Sequence, residues 1–184
     1  MKSNILGEMT SMNFTSEQKM LLDQAKKVVA ELQLKGLPMD LIKELITDQI
    51  QYSRLLISKK YRIYLVDYNN KEVTMGPLPK TVFLFFLKHD KEFMLSELMY
   101  YKQELLSIYE KVSNRGDKEK MIKSIEALID PTSNSICEKF SAIKKAFLDI
   151  LPYNIANSYF IDGKQGMSKK ILLDRALVEW QCKI

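Results

Sequence analysis

Six consecutive apolar side chains, Val82-Phe83-Leu84-Phe85-Phe86-Leu87, constrain this chain more than any other feature, because no polar face interrupts the run. A segment of this kind has to be buried on every side. Its length alone suits a buried strand as well as a helix. Pro79 ahead of it fits the first turn of a helix, where an N–H is dispensable, and Lys88-His89 behind it fit the carbonyl end, where cations are favoured. The run is therefore expected to be a short helix enclosed by other elements. It is far too short to span a bilayer, which takes about 20 apolar residues, so no membrane association is expected. At 184 residues with 46% hydrophobic and 28% charged content, the chain is long enough for one ordinary domain with an appendage.

The appendage is read at the N-terminus. Residues 1–14 are polar enough to be expected as a flexible start, and they lack the continuous apolar segment of a signal peptide, so the expected location is the cytoplasm. Thr15-Ser16-Glu17-Gln18 has the spacing of a capping box, in which a threonine hydroxyl and a glutamine amide satisfy each other's backbone N–H groups. Leu21, Leu22, Ala25, Val28, Val29 and Leu32 then recur at helical spacing, and Gly36 supplies a stop. Pro38 and Asp40 suit the first turn of a second helix with Ile42, Leu45 and Ile46 along one side. Residues 15–52 are thus expected to be a helical hairpin.

From Leu55 the composition turns to the β type: Leu55-Leu56-Ile57, residues 61–66 and Val73-Thr74-Met75, with Asn69-Asn70 placed to turn a hairpin. Beyond the 82–87 run, Leu98, Tyr101, Leu105, Ile108 and Val112 predict a helix over about 95–112, ended by Arg115-Gly116. Met121, Ile122, Ile125, Leu128 and Ile129 predict another, stopped by Asp130-Pro131. Ser133-Asn134 offers a cap for the clearest helix of the chain, with Ile136, Phe140, Ile143, Phe147 and Ile150 as its stripe. Tyr159-Phe160-Ile161 and Lys170-Ile171-Leu172-Leu173 bracket the turn-rich Asp162-Gly163-Lys164-Gln165-Gly166 and predict two strands with a lysine-bearing tip. The fold class expected is mainly α with small β-sheets, an α+β domain over 53–184 behind the helical hairpin.

That order of elements, from small sheet through several helices to a glycine-containing hairpin, resembles a winged helix-turn-helix domain of the type found as the effector domain of bacterial response regulators. On this resemblance, which covers about 120 residues and rests on order and hydrophobic pattern, residues 82–89 correspond to the first helix. Leu95-Ser96-Glu97-Leu98 opens the second, residues 134–147 form the third, and residues 159–166 lead into the wing. Two departures from the family pattern are the extra segment at 115–130 and Met167, which stands where the family has an aromatic after the wing glycines. No phosphoacceptor domain is expected before residue 57, where the chain leaves no room for one. The chain is also similar in layout to uncharacterised bacterial proteins.

The resemblance implies double-stranded DNA as a partner, with the third helix in the major groove and wing lysines on phosphates. The residues it implicates are Asn134, Ser135, Lys139, Ser141, Lys144 and Lys145 on the helix, and Lys164, Lys169 and Lys170 on the hairpin. Net charge is +5, and because the seven basic and seven acidic residues up to Ile57 cancel, the whole excess falls in this domain. The outer face of the third helix, however, reads Asn134, Glu138, Ser141, Lys145 and Asp149. Its two acids favour an alternative, a non-catalytic protein-interaction or homo-oligomerisation module in which the lysines only solvate the surface. No enzyme, metal site or cofactor is expected. The single histidine, His89, is expected at a helix end on the last carbonyls or in solvent. Cys137 reads as a small core residue, and Cys182 lies too far from it in sequence for a ligand pair. Tyr100, Tyr101 and Trp180 are expected to pack, and Gly163 and Gly166 to serve turn geometry.

Overall fold

The computed structural model describes residues 15–47, 52–113 and 116–184, and the chain divides into two compact units, Met1–Gln51 and Tyr52–Ile184. Residues 1–14, Arg115 and the side chain of Ile46 lie outside the described part. The architecture is mixed α+β, with seven α-helices, a four-stranded mixed sheet and a two-stranded sheet among the described residues.

In the first unit, α1 (Ser16–Leu34) opens with the expected capping box: the Gln18 N–H donates to Thr15 Oγ1 at 3.2 Å and the Thr15 N–H to Gln18 Oε1 at 2.9 Å. It closes on Gly36 at φ 92°, with Gly36 N–H bonding the Gln33 carbonyl and Leu37 N–H the Leu32 carbonyl. That pattern satisfies the orphan carbonyls of the last turn and needs a left-handed residue, so glycine belongs there. Helix α2 (Met39–Thr47) follows, with Ile42 buried and Leu45 exposed.

In the second unit, β1 (Leu55–Ile57), β2 (Ile63–Leu65) and β3 (Lys71–Val73) form an antiparallel meander. Asn69 and Asn70, both near φ 50°, make its second turn, closed by Lys71 N–H on the Tyr68 carbonyl at 3.0 Å. Alternation turns Leu55, Ile57, Ile63, Leu65 and Val73 into the core. Helix α3 (Pro77–Lys88) begins on Pro77 and buries every residue from Thr81 to Leu87, as the uninterrupted run demands. Thr81 is tolerated there because its hydroxyl donates to the Pro77 carbonyl at 3.0 Å. Phe83 meets Phe147 at 5.3 Å between centroids, and Phe86 meets Phe93 and Phe140.

A 3₁₀ helix over Leu95–Tyr101 leads into α4 (Lys102–Val112), followed by α5 (Lys118–Ile129), α6 (Ser135–Leu148) and the single turn α7 (Tyr153–Ala156). Strands β4 (Ile161–Asp162) and β5 (Lys170–Ile171) form the hairpin, and a second 3₁₀ turn (Arg175–Leu177) leads into β6 (Val178–Trp180). Strand β6 runs parallel to β1 and completes the sheet order β3-β2-β1-β6. The Arg175 guanidinium, largely buried, ties the end of the chain to the core by donating to the Leu173, Phe86, His89 and Ile171 carbonyls.

Several expectations need correction. The helix over 95–112 opens in 3₁₀ form because its repeat there is three: Leu95, Leu98 and Tyr101 align inward, while Tyr100, expected to pack, is 80% exposed. The third strand is Lys71–Val73 rather than 73–75, and the hairpin strands are two residues each. Tyr159 and Phe160 are core side chains instead, with the Tyr159 hydroxyl donating to the Ser53 carbonyl at 2.8 Å. Cys137 is exposed, because the inward phase of α6 is taken by Ile136, Ile143 and Phe147. His89 turns to α4, its Nε2 lying 3.1 Å from both carboxylate oxygens of Glu104. Burial pushes the Glu104 carboxyl up, but hydrogen bonds from Lys88 and His89 outweigh it and hold the pKa below the ordinary value.

Candidate nucleic-acid interface

Helix α6 is positioned by its apolar row. Ile136, Ile143, Ala146 and Phe147 are buried, and Phe147 stacks on Tyr159 at 5.6 Å and 26°. This fixes the opposite row, Asn134, Cys137, Glu138, Ser141, Lys145, Leu148 and Asp149, toward solvent. Asn134 occupies the N-cap position, yet its side chain makes no capping bond. Ser133 acts instead: its Oγ accepts from Ser135 N–H at 3.2 Å and donates to the Ala127 carbonyl at 2.7 Å, joining the ends of α5 and α6.

The hairpin is built around two backbone facts. A Cβ on Gly163 would fall 2.3 Å from the Ser168 carbonyl oxygen, at a φ of 148°, so this turn admits only glycine. Lys169 exchanges both backbone hydrogen bonds with Phe93, at 2.8 and 3.0 Å, which pins the second arm to the segment between α3 and the first 3₁₀ helix.

Most of the lysines named from sequence turn out to be engaged within the fold. Lys139 is half-buried and pairs with Glu138 at 3.1 Å. Lys144 lies over the rings of Tyr153 and Phe160 at 5.1 and 5.2 Å, bridging α6 to the start of the hairpin. The Lys169 ammonium donates to the Gly163 and Lys164 carbonyls and so staples the tip. Lys170 pairs with Glu92 at 2.6 Å, and the Ser168 hydroxyl donates to the same carboxylate. Those bonds, Lys170 first, hold the Glu92 carboxyl below its ordinary pKa. Ser141 spends its hydroxyl on the Cys137 carbonyl at 3.0 Å. Only Lys145 and Lys164 are exposed cations of the set with no ion pair or hydrogen bond to another described side chain.

Sequence reading missed Glu92, Tyr153 and Phe160 as the partners that occupy these lysines. Glu92 had a local signal, an acid directly before the Phe93 that pairs with the hairpin. Tyr153 and Phe160 reach Lys144 only through the turn after α6. Among the described residues no group of histidine, cysteine or carboxylate side chains is placed to hold a metal ion, and no helix is long and apolar enough to cross a membrane. No known family model, no curated protein and no solved structure matches this chain.

Proposed function

We propose that residues 52–184 act as a winged-helix-type DNA-binding domain, with α6 laid in the major groove and the 163–169 tip on the adjacent phosphates. The observation that carries this reading is the pinning of the hairpin to Phe93, which links it to the segment between α3 and the first 3₁₀ helix while Lys144 joins α6 to the hairpin's base. A helix and a hairpin held in fixed relation are what a groove-plus-backbone contact requires. Lys145 and Lys164 supply the phosphate contacts, and the engaged lysines supply rigidity. With two uncommitted cations, the slope of log affinity against log salt is expected near about −2.

The test is a fluorescence-anisotropy titration with random-sequence duplex and single-stranded DNA over a range of salt. The expected result is duplex binding that weakens with salt and is lost in Lys145→Glu/Lys164→Glu with the melting temperature kept. Absence of duplex binding at low salt overturns the reading.

A second reading is favoured by α1, which buries none of its residues and exposes Met20, Leu21, Val28 and, at 89%, Leu34. In it the helical hairpin mates with a second copy of the chain. Light scattering is then expected to give a discrete dimer that Leu22→Ser/Val28→Ser/Val29→Ser dissociates while helical content is retained, and a monomer at high concentration removes this reading.

A further inference from the structure

The turn between β1 and β2, the first turn of α3 and the last turn of α4 enclose an open cleft of about 490 Å³ whose lining includes Lys59, Lys60, Tyr61, Arg62, Lys80 and Lys111. Five of its lining side chains are cations and none is an acid. Arg62 pairs with Glu72 at 2.9 Å, outside the lining, and Lys111 Nζ donates to the Lys183 carbonyl at 3.3 Å. For Lys59, Lys60 and Lys80 the described residues supply neither an ion pair nor a side-chain hydrogen bond.

Left to themselves these charges repel one another, and Lys80 carries the larger cost because it is half-buried. Burial pushes its ammonium pKa down; Glu72 pulls the other way, and Arg62 adds to the depression. A fold tolerates such a cluster at the expense of stability, and a multiply charged anion relieves it. The cleft is also preset. Tyr61 sits in the left-handed region at φ 56°, an uncommon state for a residue with a side chain. It is held there by its N–H on the Ser58 carbonyl at 2.9 Å and its hydroxyl on the Lys183 carbonyl at 3.2 Å. Arg62 N–H on Ser58 Oγ at 3.1 Å fixes the same turn. The cations therefore stand on a braced turn and two helix ends.

We propose that this cleft binds a polyphosphate group, a chain of two or three phosphates either free or carried on a nucleotide. A single phosphate brings only about two negative charges to a cleft lined by five cations, and a chain of two or three phosphates brings more. The site shares no residue with α6 or the hairpin, so it stands independently of the DNA reading.

Calorimetric titration of the full chain with sodium tripolyphosphate at low salt tests it, with ATP and inorganic phosphate as further arms. One saturable site is expected, weakened by salt, with phosphate at least about tenfold weaker than tripolyphosphate. ATP matching tripolyphosphate means that the phosphate chain alone is recognised; ATP binding much more tightly means that the chain comes on a nucleotide. Lys80→Gln and the exposed Lys60→Gln should each weaken tripolyphosphate about tenfold, and Lys145→Gln/Lys164→Gln should leave it unchanged. Circular dichroism confirms that each variant is folded, and Lys60→Gln carries the test if Lys80→Gln fails to fold. No saturable binding, phosphate equal to tripolyphosphate, or a folded cleft variant with wild-type affinity overturns the proposal.

Discussion

Two surfaces of the second unit gather nearly the same number of cations, six lysines on α6 and its hairpin and five basic residues around the 59–62 turn, but they use them differently. On the first, Lys139, Lys144, Lys169 and Lys170 are taken up by a glutamate, two rings, two carbonyls and a second glutamate. On the second, only Arg62 and Lys111 are engaged. A count of lysines is therefore a poor measure of a surface's attraction for phosphate. An engaged ammonium spends its electrostatic energy on the fold and returns little to a ligand, while an unpaired one costs stability until an anion arrives.

The largest effects are expected where both surfaces depend on one core. Phe83→Ala removes a fully buried ring packed on Phe147 and should cost about 3–5 kcal/mol in urea unfolding. Duplex and tripolyphosphate binding should then fail together as the unit unfolds. A variant that lost one and kept the other while folded would show that the two surfaces do not rest on the same packing.

Next comes Gly163→Ala, whose new Cβ meets the Ser168 carbonyl at 2.3 Å. Strain of this kind costs about 1–3 kcal/mol or unravels the tip. Duplex affinity should drop toward background and tripolyphosphate affinity should not move, which sharpens the contrast between the surfaces. Loss of both would break it.

Some of this was written in the chain and some was not, for physical reasons. The 82–87 run is buried on all sides because a sequence with no polar face leaves no other choice, and the Thr15 capping box and the Asn69-Asn70 turn are local hydrogen-bond patterns that need no tertiary help. Strand β6 was not legible: Val178-Glu179-Trp180 becomes a strand through a parallel register with β1, more than 120 positions away. Of the candidate interface, the positions of α6 and the hairpin were readable but their electrostatics were not, since Lys144 meets Phe160 only after α7 turns the chain back. Of the cleft, nothing was read from sequence: Lys59, Lys60 and Arg62 fall beside a segment read only as a strand, and Lys80 and Lys111 join them only through the packing of α3 and α4.

Within the hairpin, neighbouring lysines should separate by role. Lys164→Gln removes an exposed, unengaged cation and should lower duplex affinity with no change in melting temperature and a salt slope shallower by about one. Lys169→Gln removes the staple on Gly163 and Lys164 and should lower the melting temperature. Equal affinity losses at unchanged stability would mean that Lys169 leaves the staple to meet phosphate.

The smallest effect is the most direct measure of what an engaged cation withholds. Glu92 holds Lys170 and Ser168, and Glu92→Gln frees the ammonium without altering the backbone pairing of Phe93 with Lys169. Because the folded pKa of Glu92 lies below its ordinary value, the tie's stabilisation is present in full above the ordinary carboxylate range. It is lost only as pH falls through the depressed value. Wild-type duplex binding should thus gain nothing from this group between neutrality and about pH 5. Glu92→Gln should already show the gain at pH 7, a rise of less than about fivefold, the size expected for an exposed ion pair. The same substitution should leave tripolyphosphate affinity where it was, because Glu92 faces the hairpin and not the cleft. A variant that bound duplex no better than wild type would mean that the freed Lys170 cannot reach phosphate, and the interface would reduce to Lys145 and Lys164.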